Sequence, residues 1–332
     1  MVTFLPSRPG RLADVPAFTR AVGGAESNVA CALAAAGHRV RWIGRVGADG
    51  FGDHLLDTIA AYGVDTGAVR RDPHRPTGVY FRTDADRSTD AHEVVYYRAG
   101  SAASAMSPAT LPYDTVADAA ILHLTGITAA LSEDCRALLY ELTEPRPGRP
   151  LVSFDVNHRP ALWPGGGAAE VLLDLAARAD LVLVGADEAE HLWGTPDADA
   201  VRALLPRPAV LVVKGGAGPA IAYERAPGGG PDTVTAGPAP RVDVVASVGA
   251  GDGFAAGFLS ALLRGLPMEA RLRHGHLVAA AALTVPGDLA VPPRRAHADR
   301  LAGLDDGAWG RLHLGPGWTS ADTEADEEVR TR

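Results

Sequence analysis

The sequence has no surplus of basic residues. Its 31 Lys and Arg stand against 40 Asp and Glu, a formal net charge of -9, which excludes the basic face a nucleic-acid-binding protein needs. No apolar run is long enough to cross a membrane, and no basic-then-apolar leader opens the chain, so a soluble cytoplasmic protein is expected. Cysteine is scarce: Cys31 and Cys135 both lie in apolar surroundings and read as buried free thiols in a reducing compartment. There is no GxxxxGK[ST], hence no P-loop, and no internal repeat. GGAGPA departs from a dinucleotide fingerprint at Pro219 and in its final spacing. EAEH sets Glu188 and His191 at i, i+3, but the second copy and further glutamates of a carboxylate-bridged metal pair are missing.

What remains is ordinary globular material: 332 residues, 47% hydrophobic and 21% charged, enough for one large domain or two modest ones. GGAESNVACALAAAGHRVRWIGRVG reads as a turn, a small-residue helix ending near Gly37, and a strand over 39–43. FGDHLLDTIAAYGVD repeats the helical spacing. TGVYFRT and HEVVYYR are β-branched and aromatic, joined by a polar loop (84–91), and read as a hairpin-like excursion. AAILHLTG, LVSFDVNH, DLVLVGADE and AVLVVKGG are nearly continuous apolar runs separated by helical segments. This is the rhythm of a mostly parallel sheet buried on both faces. After Gly303 the rhythm fades, and 304–332 reads as a disordered acidic tail.

VVASVGAGDGFAAGF, residues 244–258, carries the chemistry. Glycines ahead of a helix let backbone N–H groups converge on an anion, helped by the helix dipole. Asp252 would sit beside that anion, unfavourably unless it orients a substrate hydroxyl while the amides absorb phosphoryl charge. The alternative is a plain helix cap after a glycine turn, and this segment alone does not separate the two.

GGAESN, GRVGADGFG and VGAGDGFAAGF, in that order and spacing, resemble the signature regions of the ribokinase-like (PfkB) sugar kinases over about residues 6–292. The resemblance implies a doubly wound α/β fold with a mainly parallel sheet, spanning 1–303, and a small β lid from about 5–22 and 74–99. It implies Asp252 as general base and Gly249, Ala250 and Gly251 as anion hole. RPTGVYF, VVYYRAGSAAS, LHLTGIT and SFDVNHRPALW are most similar to 2-keto-3-deoxygluconate kinases, which implies contacts to a sugar acid from Gly24, Asn28, Tyr80, Tyr96, Arg98 and Arg159. An arginine fork suits a carboxylate. For ATP the resemblance implies Lys214, Gly216, Gly249, Gly251 and His276, the last where many relatives carry asparagine. For magnesium it implies Glu188, acting through water, with Gly185 where relatives carry asparagine.

Two departures stand out. Ala246 replaces an acid that in relatives supports a loop binding a monovalent cation, which puts potassium activation in doubt. Relatives also begin with a strand ahead of the stretch matching MVTFLP, so a start upstream of Met1 is expected. The expected activity is ATP-dependent phosphorylation of 2-keto-3-deoxygluconate at its primary hydroxyl. The alternatives are a kinase of fructose, ribose or a related ketose, and a catalytically weak binding protein. A nucleoside kinase is disfavoured, since its acceptor needs no pair of arginines. Exposed lid strands make a homo-oligomer possible.

Overall fold

A computed structural model describes residues 1–83, 93–111, 113–226 and 228–320. The polar loop expected at 84–91 lies outside them. The chain forms two compact units: residues 1–105, 240–260 and from 274 onward build one, and 106–239 with 261–273 the other.

The first unit opens with β1 (Val2–Pro6), β2 (Phe18–Val22), α1 (Ala25–Ala35), β3 (Arg45–Gly47), α2 (Gly50–Ala61), β4 (Arg70–Asp72), β5 (Val79–Arg82) and β6 (Val94–Tyr97). Four of these strands make a sheet in the order β2-β1-β5-β6, with β1 and β5 parallel and the outer pairs antiparallel. Strands β2, β5 and β6 fall within the stretches 5–22 and 74–99 expected to form the lid, and β1 overlaps the first of them. Alternation gives β5 two unlike faces. Phe81 stacks on Phe4 at 4.6 Å and meets Phe18 and Tyr97 edge-on, while Tyr80 and Arg82 are buried on the other side. Helix α2 starts at Asp49, whose carboxylate accepts from Phe51 N and Gly52 N and also from the Thr77 N–H and hydroxyl. Leu55 and Ile59 on α2 then pack with Val2, Val22, Cys31 and Val46. The strand expected at 39–43 is reduced to a bridge between Arg41 and Asp65, and the short strand β3 follows it.

The second unit alternates β7 (Ile121–Thr125), α3 (Gly126–Ala129), α4 (Glu133–Thr143), β8 (Leu151–Asp155), α5 (Ala168–Arg178), β9 (Leu181–Gly185), α6 (Ala186–Trp193), α7 (Ala198–Leu204) and β10 (Val210–Lys214). It closes with β11 (Ala220–Glu224) and β12 (Thr233–Gly237). The sheet runs β12-β11-β10-β9-β8-β7, parallel from β7 to β10 and antiparallel beyond. Every residue of β9 is buried, which explains why these strands read as unbroken apolar runs rather than alternating ones.

The chain continues with β13 (Arg241–Val242), α8 (Ala250–Leu263), α9 (Met268–Leu283), α10 (Arg295–Ala302), α11 (Asp306–Arg311) and β14 (His313–Leu314). On α8 a Cβ at Gly253 would lie 2.8 Å from the Val278 carbonyl and one at Gly257 2.2 Å from that of His274. These two glycines therefore set how closely α8 approaches α9. Residues 304–320, expected to belong to a disordered tail, are folded. Trp309, Leu312, Leu314 and Trp318 are buried with Leu277, Ala281 and Leu301, and β14 pairs with β13. Four apolar side chains carry this segment into the core without any helical period in the sequence to announce it; residues 321–332 lie outside the description.

Both thiols are buried and unpaired as disulfides, and burial pushes Cys31 up to about 12. Ellman's reagent at pH 8 is therefore expected to find no fast-reacting thiol in the native protein and two after denaturation, because only the thiolate reacts.

Candidate active site

In the first unit, two helix starts meet. Gly24, with φ 137°, precedes α1, and the first turn of that helix presents Asn28. Its Nδ2 donates to Asp252 Oδ2 at 2.8 Å, 224 residues away in sequence. Asn28 is buried, and among the described residues its Oδ1 accepts no hydrogen bond. Asp252 lies in the first turn of α8. The first intrahelical bond there runs from Gly253 N to Gly249 O at 2.9 Å, so the N–H groups of Ala250 and Gly251 precede it. Such groups are what a helix start offers an anion.

Gly249 admits no other residue. Its φ is 82°, and a Cβ would stand 2.1 Å from the carbonyl oxygen of Asp288. Asp288 is itself buried, and its carboxylate accepts from the Tyr80 hydroxyl and pairs with Arg82 at 3.1 Å. Burial pushes both Asp288 and Tyr80 upward, the phenol further raised by the facing carboxylate, so Tyr80 stays a neutral donor. A Cβ on Gly23 would strike the Tyr80 hydroxyl. Tyr80 thus spends its hydroxyl on Asp288, with Tyr96 tilted against its ring at 5.6 Å. Arg98 follows β6 and is half-buried. His276 is 6% exposed and packs edge-on to Phe254.

In the second unit, polar groups gather at the carboxyl ends of the parallel strands, the edge where open α/β sheets bind ligands. Lys214 ends β10 and places Nζ 3.0 and 2.8 Å from the two oxygens of Asp155, which ends β8. Asp155 is 1% exposed. Just beyond it Asn157, at φ 40°, is the only described non-glycine residue with positive φ, an outlier of the kind that collects at functional sites. Gly216 turns the β10–β11 hairpin at φ 62°. Glu188 caps α6: Oε2 accepts from Gly185 N at 2.9 Å, and Oε1 accepts from His158 N at 3.1 Å. Arg159, half-exposed, reaches Glu188 at 3.6 Å. Burial, and then the neighbouring His191, pull His158 below the usual imidazole range.

Asp155, Asn157, His158, Arg82 and Asp288 were not singled out from the sequence. Asp155 and Asn157 lie inside SFDVNHRPALW, and Asn157 carries a signal in composition, since the chain has two asparagines, Asn28 and Asn157, and no glutamine. Lys214 is likewise its single lysine. Arg82 and Asp288 carry no such mark; only the folded chain joins them.

Known proteins resemble this chain along most of its length. Residues 2–294 match the pfkB family carbohydrate kinases. The chain is 36% identical over 301 residues to the 2-dehydro-3-deoxygluconokinase of Bacillus subtilis, covering 89% of this chain and 90% of that protein. It is 32% identical to the probable chloroplastic fructokinase-6 of Arabidopsis thaliana, covering 88% and 77%. The crystal structure of the Xylella fastidiosa fructokinase with bound ATP superimposes at a TM-score of 0.78, with 28% identity and 90% and 94% of the chains covered. The fold is ribokinase-like, and the chain belongs to the pfkB family of carbohydrate kinases, phosphotransferases with an alcohol group as acceptor.

Proposed function

We propose that the protein transfers the γ-phosphoryl group of ATP to the primary hydroxyl of 2-keto-3-deoxygluconate, giving the 6-phosphate. The observation that carries this reading is the Asn28–Asp252 contact beside the start of α8. Asn28 fixes the plane of the Asp252 carboxylate and keeps a buried acceptor, Oδ1, for a sugar hydroxyl to satisfy. Leaving such an acceptor unmet costs about 1–3 kcal/mol, which a hydroxylated substrate recovers. Asp252 orients the acceptor hydroxyl and takes its proton, and in a loose transfer the proton can leave late. The N–H groups around Gly249, Ala250 and Gly251 absorb charge on the phosphoryl oxygens.

Lys214, Gly216, Gly249, Gly251 and His276 are assigned to the nucleotide, and Glu188 to magnesium. Lys214 is held on Asp155 and in this reading turns toward phosphate when ATP binds. Magnesium supplies charge neutralisation on the phosphates. Glu188 fits it only through water, because each of its oxygens already accepts one backbone N–H while retaining lone pairs for a metal-bound water. Arg98 and Arg159 are assigned to the sugar carboxylate; the name of the Bacillus relative supports an acidic acceptor. The fructokinase relative favours a second reading, the same chemistry on a neutral ketose. A cytoplasmic location goes with either. So does a homo-oligomer through the edge strand β6, where Val95 and Tyr97 are exposed.

ADP release with magnesium across 2-keto-3-deoxygluconate, fructose, ribose and adenosine tests the reading. Selective turnover of the keto acid is expected, and Asp252→Asn should lower kcat by about 10²–10⁴-fold, the usual share of a positioned base. Turnover of fructose or ribose alone would reassign the substrate, and no turnover despite ATP binding would favour a binding protein. Arg98→Ala and Arg159→Ala should each raise KM for the keto acid about tenfold or more, as expected when a charge-assisted bond of about 1.5–3 kcal/mol is lost. Equal kinetics with the wild type would remove both arginines from the site.

Lys214→Met should lower stability by about 3–5 kcal/mol, because the buried Asp155 carboxylate loses its partner. Adding Asp155→Asn should recover most of that loss in a denaturant titration. Failure to recover would show that the two residues do not act as a pair.

A further inference from the structure

The segment after α9 runs beside the anion-hole loop. At one end the Leu283 carbonyl accepts from Val245 N at 2.8 Å and Ala246 N at 3.3 Å; at the other, the Asp288 carbonyl abuts Gly249. The side chain of Ala246 carries no oxygen. The charge that holds the segment comes from β5. Arg82 is 2% exposed and lies 3.1 Å from Asp288 Oδ1, and its Nη2 donates to the Pro286 carbonyl at 2.5 Å. Tyr80, on the same face of β5, closes the other Asp288 oxygen.

This arrangement does not fit a monovalent cation. A cation held by this segment would rest on its carbonyls, and one of them, that of Pro286, already accepts from a buried guanidinium. A second positive charge beside that guanidinium would meet repulsion little screened by water.

We infer that Arg82 is a built-in cation: held by Asp288, it keeps residues 286–288 against Gly249 and makes phosphoryl transfer independent of added potassium. It touches no substrate and acts through Gly249, so it is a positioning residue. Arginine suits the task because its planar fork serves a carboxylate and a carbonyl at once and it never deprotonates. The inference rests on the assignment of Gly249 to Gly251 as the phosphate cradle.

Two readouts, in choline chloride and in potassium chloride at equal ionic strength, test it: Mg-ATP affinity by calorimetry and kcat by ADP release. The wild type is expected to change less than twofold between the salts in either. Arg82→Met should lose about tenfold in ATP affinity and in kcat in choline, with acceptor KM moving less than threefold, and Arg82→Lys should recover most of the loss. A wild type stimulated fivefold or more by potassium would overturn the inference, as would an Arg82→Met protein with wild-type values. Should Arg82→Met fail to fold, Asp288→Asn keeps the volume and the tyrosine contact and is expected to show the same loss, smaller. Wild-type values in Asp288→Asn would overturn the inference. Absence of turnover with every sugar would sink the substrate assignment alone, because the calorimetric comparison still decides the role of Arg82. A wild type that binds no nucleotide would overturn both.

Discussion

Backbone meets backbone along one row of α8, and the first unit's chemistry depends on that row staying free of side chains. Gly249, Gly253 and Gly257 are four apart, so they line up on the helix surface, and each faces a carbonyl: of Asp288, Val278 and His274. The close approach is what brings the start of α8 under the segment ending at Asp288. It leaves Asp252 off the row, turned to Asn28. Glycine weakens a helix by roughly 1 kcal/mol per position relative to alanine. Here that weakness is offset by contacts no larger residue could make.

The second constraint is electrostatic. Asp155, Asp288 and Arg82 are almost wholly buried, and each is satisfied by a partner from a different stretch of chain: Lys214, Tyr80 and the Pro286 carbonyl. Buried charges are tolerated when paired and hydrogen-bonded, and they are expensive when one partner is lost. Such pairs are modest sources of net stability. In this structure Asp288, Tyr80 and Arg82 tie β5 to the 283–288 segment.

Much of this was legible residue by residue and little of it pair by pair. The apolar runs of β7 to β10 announced a parallel sheet because burial on both faces leaves no polar residue to interrupt them. Strands β5 and β6 stood out through β-branched and aromatic side chains, and GAGD through its glycines. Asp288 stood in a loop with no period, over two hundred residues from Tyr80 and Arg82, so nothing local marked it. Glu188 was read as an ion-binding side chain, and its work in capping α6 depends on backbone positions a sequence does not display. Trp309 and Trp318 were hidden by the acidic run behind them, which colours any average taken over the end of the chain.

Composition adds a last point. In a chain whose basic side chains are otherwise arginine and histidine, Lys214 is the only side-chain amine, and it lies against a carboxylate at the mouth of the parallel sheet. To an acylating metabolite or an amine-seeking reagent, the molecule is therefore nearly blank. Its amino terminus aside, it can be marked in one place, and a mark there would both cancel the positive charge and strip Asp155 of its counterion.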